Sequence, residues 1–228
     1  MKKPTPELVS KRYDKGVMFN TQIGLYDTVT ENENFFIGKQ WEGVEANGLP
    51  TPVFNFLKRV TLFQIATISS DNLSMQATPL NSTSRYGLAD LEQVTDVINK
   101  QFAEVFERNK IVTKVREFMR NAAVDGDGAT YSWFDPDMET GQEAKGGIVT
   151  EIIENTRIIF GNPNERNVQQ QPYIIIPMRK QVEYVKNLAE KNGVKKDDID
   201  SIRADSEAYG NKMDALTDDR VSMYIYLY

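Results

Sequence analysis

Apolar residues recur at intervals of three and four along most of the first half of the chain, as they do on one face of an α-helix. Thr5, followed by Pro6 and Glu7, is typical of a helix start. The pattern predicts one long helix from there to about Thr30. The polar residues 32–34 are expected to end it, and the residues after them fit either a short helix or a loop.

A second helix is predicted after the turn-forming residues 47–52, with Thr51 as its N-cap and Pro52 at its first position. Its apolar positions keep the same spacing; they are Val53, Phe56, Leu57, Val60, Phe63 and Ile68. Because these positions surround most of the helix, we expect it to lie centrally in the core and to end near residues 69–72.

The clearest helical pattern runs from Leu88 to Asn109, and a second segment continues it from Ile111 to Ala122. Asn109 is either a break or a bend between the two. Two glycines within residues 125–128 are expected to stop the second segment.

The second half of the chain changes to a period of two, which is typical of strands. An earlier stretch with this period, Leu73–Thr78, is a further strand candidate that Pro79 ends or places at a sheet edge. The predicted strands of the second half are Ala129–Phe134 and Gly147–Glu154, paired as a hairpin, then Thr156–Phe160, the apolar run Tyr173–Ile176 and Val221–Tyr228. One helix is predicted over Met178–Asn192, and Gly193 follows its end. Another helix is predicted from Lys196 onward. The polar stretch Ala204–Asp219 is expected to be a loop.

These elements predict an α+β fold over residues 1–228 as a single region. Residues 1–125 form its helix-rich half, and residues 126–228 form a small mixed sheet or hairpin region with packing helices.

The 228 residues contain no cysteine and no histidine. Disulfides, thiolate chemistry and Ser-His-Asp or Cys-His nucleophiles are therefore excluded, and the commonest metal ligand is missing. No apolar run reaches the roughly 18 residues that a membrane span requires, and the N-terminus lacks the apolar segment of a secretory signal. The net charge of −6 argues against a general nucleic-acid coat, although local phosphate contacts remain compatible with it.

Lys39, in the segment Gly38-Lys39-Gln40-Trp41, raises the question of a phosphate site. A phosphate-binding loop has the spacing G-x-x-x-x-G-K-[ST], which occurs nowhere in the chain. The favoured interpretation is an architectural corner in front of a helix. Trp41 fits an exposed interface anchor and a core residue equally well, whereas Trp133, within a strand, is expected to be packed.

Two clusters of acids deserve comparison with metal sites. Residues 125–128, Asp-Gly-Asp-Gly, resemble the start of a calcium loop but lack its later ligands, so a helix stop is favoured. Asp135, Asp137 and Glu139 are able to bind a divalent cation, but they lie on a turn where carboxylates are common for turn geometry alone.

The basic stretch from Arg108 to Arg120 is interspersed with acids, which favours a salt-bridged, solvated face over phosphate contacts.

The order of these segments resembles one family. The segment FFIGKQWEGVEANGLPTPVFNFLKRV is similar to the entry segment of tailed-bacteriophage portal proteins, the head-to-tail connectors of the capsid. The residues that carry this match are Gly38, Gln40, Trp41, Pro50, Pro52 and Asn55. A second match, a GNP turn followed by QPYIII, is carried by Gly161, Asn162, Pro163, Gln171, Pro172 and Tyr173.

The resemblance implies a wing-like portion of a portal subunit, cut before the stem and clip that longer portal chains contain. We expect the chain to continue beyond Tyr228, where an apolar strand is still running. The implied assembly is a homo-oligomeric, dodecameric ring at one vertex of the virion, assembled in the bacterial host cytoplasm. Its expected partners are terminase, capsid and head-tail adaptor proteins, with DNA passing through the channel without sequence specificity and no membrane involved.

We therefore predict a structural protein of genome packaging, not an enzyme, with no catalytic residues, cofactor or metal. Ring contacts are expected at Trp41 and along Ala204–Asp219. The alternatives are a divalent-metal-dependent phosphodiesterase or nuclease that uses Asp125, Asp127, Asp135 and Asp137, and a non-viral adaptor that binds other proteins.

Overall fold

The computed structural model describes residues 4–69, 74–79, 88–141, 145–205 and 219–228. Within these ranges the α-helices are α1 (Pro6–Gln22), α2 (Leu25–Ile37), α3 (Phe56–Ile68), α4 (Leu88–Arg108), α5 (Ile111–Asp125), α6 (Val182–Lys191) and α7 (Lys196–Ser201). The strands are β1 (Ala129–Asp135), β2 (Gly147–Ile153), β3 (Ile159–Phe160), β4 (Ile174–Gln181) and β5 (Arg220–Leu227). The fold is α+β: the described elements before residue 126 are all helices, and two antiparallel sheets follow, together with α6 and α7. The chain divides into two compact units.

The first unit comprises Met1–Glu33 and Glu154–Tyr228. Its sheet has the order β3-β4-β5, and β4 pairs with β5 along its whole length, from Ile174 opposite Leu227 to Gln181 opposite Arg220. Tyr13 of α1 packs with Ile159 of β3 and Ile175 of β4 to form the buried cluster of this unit. Helix α1 lies so close to β3 that a Cβ atom at Gly16 would fall 2.0 Å from the Cγ2 atom of Ile159. The absence of a side chain at residue 16 is therefore what lets helix and strand touch.

Pro177 lies inside β4, fully buried and opposite Tyr224 of β5. Its carbonyl oxygen accepts a hydrogen bond from Nη2 of Arg157 at 3.2 Å. The ladder to β5 tolerates a proline here because the backbone groups of every second residue in an antiparallel strand point away from a given neighbour. Ser222 of β5, opposite Arg179, directs its N–H to Asp205 instead of to β4. Positions 177 and 179 of β4 therefore turn their backbone groups away from β5, and the N–H that proline lacks is not needed by the ladder.

The second unit comprises Asn34–Ile153. Helix α5 contacts α3, α4 and β2, and β1 pairs with β2 as an antiparallel hairpin from Ala129 opposite Ile153 to Asp135 opposite Gly147. Between α4 and α5 the backbone of Lys110 is left-handed, with φ of +52°. Buried Ile65 of α3 and Val124 of α5 belong to the interior of this unit.

Several predicted elements are confirmed. Thr5 caps α1 through a hydrogen bond from the N–H of Leu8, and Pro6 is its first residue. The paired helices α4 and α5, the β1–β2 hairpin and the strand after Arg220 also lie where the sequence predicts them.

The prediction of a single helix to Thr30 is wrong, because Gly24 adopts φ of +68° and separates α1 from α2. Residues 32–34 do not end a helix, since α2 continues to Ile37. Thr51 is not a helix cap either; α3 begins only at Phe56 and is capped by Asn55.

The predicted strand Leu73–Thr78 is wrong where it is described: residues 74–78 are not in a strand, and Leu73 lies outside the described residues. Residues 155–157 form a turn of 3-10 helix, so only the last two residues of the expected strand Thr156–Phe160 pair as β3. The apolar run expected to stop before Pro177 continues to Gln181, and the helix expected from Met178 starts at Val182. Of the expected loop Ala204–Asp219, residues 206–218 lie outside the described residues.

Candidate functional site

The residues of the first sequence match meet at one corner, where α2 ends and α3 begins. Gly38 follows the last residue of α2 with φ of +91°, a conformation that glycine adopts without strain. Its N–H donates to the carbonyl of Phe35 at 3.2 Å, and the N–H of Lys39 donates to the carbonyl of Asn34 at 2.8 Å. These two bonds satisfy the last carbonyls of the helix, as in a Schellman motif. Lys39 therefore takes part in a helix end through its backbone.

Two side chains of this corner converge on one backbone oxygen. Nε1 of Trp41 donates to the carbonyl of Pro52 at 3.1 Å, and Nε2 of Gln40 reaches the same oxygen at 3.4 Å. The chain between them turns at Asn47 and Gly48, both with positive φ. The indole is 40% exposed, so Trp41 is anchored by its N–H while part of its ring stays accessible.

Asn55 joins the two helices of the corner. Its Nδ2 donates to the carbonyl of Phe36 in α2 at 2.7 Å, and its Oδ1 accepts from the N–H of Lys58 in α3 at 2.9 Å. The ring of Phe36 is buried and lies near two cations, with Nζ of Lys58 5.6 Å and Cζ of Arg120 5.1 Å from its centroid. The Asn55 amide thus bonds to the end of α2 and caps α3.

The remaining residue of the first match, Pro50, is exposed after the turn and precedes the segment that Trp41 and Gln40 hold. Gly38, Gln40, Trp41, Pro52 and Asn55 are therefore brought together, with Pro50 in the connecting loop.

The residues of the second match form another corner, in the first unit. Gly161 donates its N–H to the carbonyl of Tyr173 at 2.9 Å. The side chain of Gln171 spans the loop: its Oε1 accepts from the N–H of Asn162 at 2.9 Å, and its Nε2 donates to the carbonyls of Asn162 and Glu165. Pro163 lies inside the loop that Gln171 closes, and Pro172 follows it directly. This cluster is a folded turn whose polar atoms bond to each other.

Tyr173 leads from this turn into a stack of aromatic rings. Its ring lies 5.5 Å from that of Tyr226, and the guanidinium of Arg12 in α1 lies 4.4 Å from its centroid. Arg12 also donates to the hydroxyl of Tyr226. Nothing in the sequence singles out Arg12, because the contact joins residues far apart in the chain.

Helix α3 exposes most of its apolar residues, contrary to the central position that the sequence predicts. Phe56 is 65% exposed, Leu57 61% and Phe63 73%, whereas Ile65 is buried on the side toward α5. Phe54, just before the helix, is 74% exposed. Val53, Phe54, Asn55, Phe56 and Arg59 line an open cleft at the start of the helix. We call Phe56, Arg59, Val60 and Phe63 the α3 face; they are spaced by three or four residues and share one side of the helix.

Acids of the β1–β2 turn serve local structure. Oδ1 of Asp135 accepts from the backbone N–H of Asp137, and Glu139 pairs with Lys145. Within the described ranges, no three acidic side chains lie close enough to hold a metal ion.

The basic stretch around α5 is used in packing. Arg108 pairs with Glu104, Nζ of Lys114 bonds to the carbonyl of Thr150, and Arg120 lies over Phe36. Trp133, expected to be packed, is half-buried and stacks on Tyr131 at 5.2 Å.

Asn109 plays a role that its place in the sequence does not predict. It is buried, and its Nδ2 donates to the carbonyl of Ile148 at 2.7 Å while its Oδ1 accepts from the N–H of Thr150 at 2.9 Å. The side-chain amide therefore bonds to β2 as the peptide group of a neighbouring strand does. An asparagine at a helix break is the only hint in the sequence.

Among the described residues, no helix combines the length and the apolar character that crossing a membrane requires. The comparison with protein-family models gives no match for this chain, and the comparison with curated proteins gives no significant relative.

Proposed function

We propose that this chain is a structural subunit of a tailed-phage portal ring and supplies the wing-like part of that subunit. In this proposal the ring is dodecameric, stands at one vertex of the virion and docks terminase, capsid and head-tail adaptor proteins. DNA passes through its channel without sequence-specific contacts.

The observation that carries the proposal is the exposed aromatic surface formed by the α3 face and by Phe54 just before it. The three phenylalanines at positions 54, 56 and 63 are each at least 65% exposed. A phenylalanine offers about 150–250 Å², so these side chains alone leave roughly 400 Å² of aromatic surface in water. A monomer rarely exposes a contiguous apolar patch of more than a few hundred Å². A surface of this kind favours a subunit that is covered in an assembly.

Two further observations support the same function. The residues of both portal-like matches form hydrogen-bonded corners, as expected of motifs retained for architecture. The net charge of −6 disfavours tight DNA binding and suits a conduit along which DNA must slide.

The test is sedimentation velocity and native mass spectrometry of the chain over a wide concentration range, followed by electron microscopy of the largest species. We expect closed rings of one copy number. A chain that stays monomeric throughout would contradict the proposal. Stable dimers without rings would favour the non-viral adaptor. Cleavage of DNA in the presence of Mg²⁺ or Mn²⁺ would favour the phosphodiesterase.

A further inference from the structure

A second exposed apolar surface lies on helix α4, in the same unit as α3. Val94 is 55% exposed, Val97 56% and Ile98 39%. The three are spaced by three and four residues, so they share one side of the helix, and Asp90 continues that side by one turn toward the N-terminus. We call Asp90, Val94, Val97 and Ile98 the α4 face.

The two faces carry opposite charge. Arg59 is the charged residue of the α3 face, and helix α3 contains no acid. Asp90 is the charged residue of the α4 face and is exposed, whereas Glu92 and Asp96 lie on the other side of that helix. Each face thus combines apolar residues with one charge that attracts the other face and repels its own kind.

From this complementarity, and resting on the proposed ring assembly, we propose that the α3 face of one copy packs against the α4 face of a second copy. Pairing α3 with α3 would bring the cations of both copies together, and pairing α4 with α4 would do the same with the acids. Cross-pairing instead places Arg59 near Asp90 and buries Phe56 and Phe63 against Val94 and Val97.

The α3 face is the larger of the two surfaces, since Val60 is also more than half exposed and Phe56 and Phe63 are bulkier than the valines of the α4 face. Because the two faces differ, the contact is heterologous, and each copy keeps one α3 face and one α4 face for further neighbours. Such contacts generate closed rings or open filaments.

The test uses two variants that each lose one face. Phe56→Asp/Phe63→Asp places acids on the α3 face, and Val94→Arg/Val97→Arg places cations on the α4 face. Each variant alone is expected to be monomeric. An equimolar mixture is expected to give a one-to-one heterodimer and nothing larger, because one intact face remains on each variant. Val168→Asp, at an exposed apolar residue of the other unit, is the matched control and should assemble as the unmodified chain does.

Circular dichroism and thermal melting establish that the variants are folded. If either double variant does not fold, single charge reversals at the proposed contact replace it in the test. Arg59→Asp and Asp90→Arg are each expected to weaken association about tenfold, and their combination to restore it, since the pair is merely exchanged.

The other outcomes separate this inference from the proposed function. If both face variants still form rings, the α3–α4 contact is overturned while ring assembly stands. Val94→Arg/Val97→Arg keeps only the α3 face. If this variant dimerises and the mixture gives no heterodimer, the contact is isologous through α3, and the inference is overturned. If the unmodified chain never associates, both are overturned.

Discussion

The indole N–H of Trp41 donates to the carbonyl oxygen of Pro52 at 3.1 Å and so closes the loop between α2 and α3. We expect Trp41→Ala to destabilise the chain by about 2 kcal/mol, because it removes both this bond and the packing of a half-buried ring. Trp41→Phe keeps an aromatic ring but not the donor, and should cost only about 1 kcal/mol. Urea denaturation measures both. Equal losses in the two variants would mean that the hydrogen bond alone matters.

Asn55 allows its two roles to be separated. Asn55→Asp retains an oxygen that caps α3 through Lys58 but removes the donor to Phe36, whereas Asn55→Ala removes both bonds. The expected destabilisation is about 1 kcal/mol for Asp and about 2 kcal/mol for Ala. Denaturant midpoints of the two variants provide the measurement. If Asp matched the original chain, the bond to Phe36 would contribute nothing.

Gly16 should not tolerate alanine although it lies in a helix. In an exposed helix position, glycine to alanine stabilises by up to about 1 kcal/mol. At residue 16 the added Cβ collides with Ile159, so we expect Gly16→Ala to destabilise by about 1–3 kcal/mol. Ser10→Ala, at an exposed position of the same helix, is the matched control and should be neutral or stabilising. Thermal melting decides the sign, and a higher melting temperature for Gly16→Ala would show that α1 does not press on β3.

Asn109→Ala leaves two backbone groups of β2, the carbonyl of Ile148 and the N–H of Thr150, without the bonds they now make to the side chain. An unsatisfied buried group costs about 1–3 kcal/mol, so a loss of about 2–4 kcal/mol is expected. Asn109→Asp has nearly the same shape but cannot donate to Ile148, and should also be destabilising. Hydrogen exchange at Thr150 should accelerate in Asn109→Ala but not in Asn109→Asp, because aspartate keeps the oxygen that accepts from the Thr150 N–H. Unchanged exchange in Asn109→Ala would rule out the strand-like role of this amide.

Burial raises the pKa of the Tyr26 hydroxyl above its ordinary value of 10.0, while a hydrogen bond with Asn20 acts in the opposite direction. The folded chain therefore holds this proton at pH values where the unfolded chain releases it. The stabilisation is complete below pH 10.0 and is lost as the pH rises through the raised value. Tyr26→Phe should flatten the fall of the unfolding free energy above about pH 10. An alkaline slope identical in both proteins would contradict this assignment.

The sequence predicts much of this fold because most of its elements are locally encoded. The Thr5-Pro6 start of α1 and the long apolar periodicity of α4 and α5 act within a few residues. The start of α3 is different: Thr51-Pro52 has good capping residues, but Asn55 takes the role because its amide also reaches Phe36, nineteen positions away. Such a tertiary bond leaves no periodic trace in the sequence.

The central position expected for α3 is wrong for a related reason. A helix that is apolar all round is buried, but its sequence does not say whether its own chain or a second copy buries it. The apolar pattern of α3 was recognised correctly, and only its neighbours distinguish a core helix from an interface helix. The residues of the two corners lie together in the structure, although none of their hydrogen bonds could be derived from spacing.

Pro177 has a consequence for the length of the sheet. Two residues beyond Ile175, where pairing with β3 ends, β4 presents a buried residue without an N–H, whose carbonyl is already bonded to Arg157. A longer β3 could not continue the ladder along this side, because the donor it needs is missing and the acceptor is occupied. Proline at this position thus limits β3 to two residues, and Arg157 of the 3-10 turn takes the acceptor that a further strand residue would use.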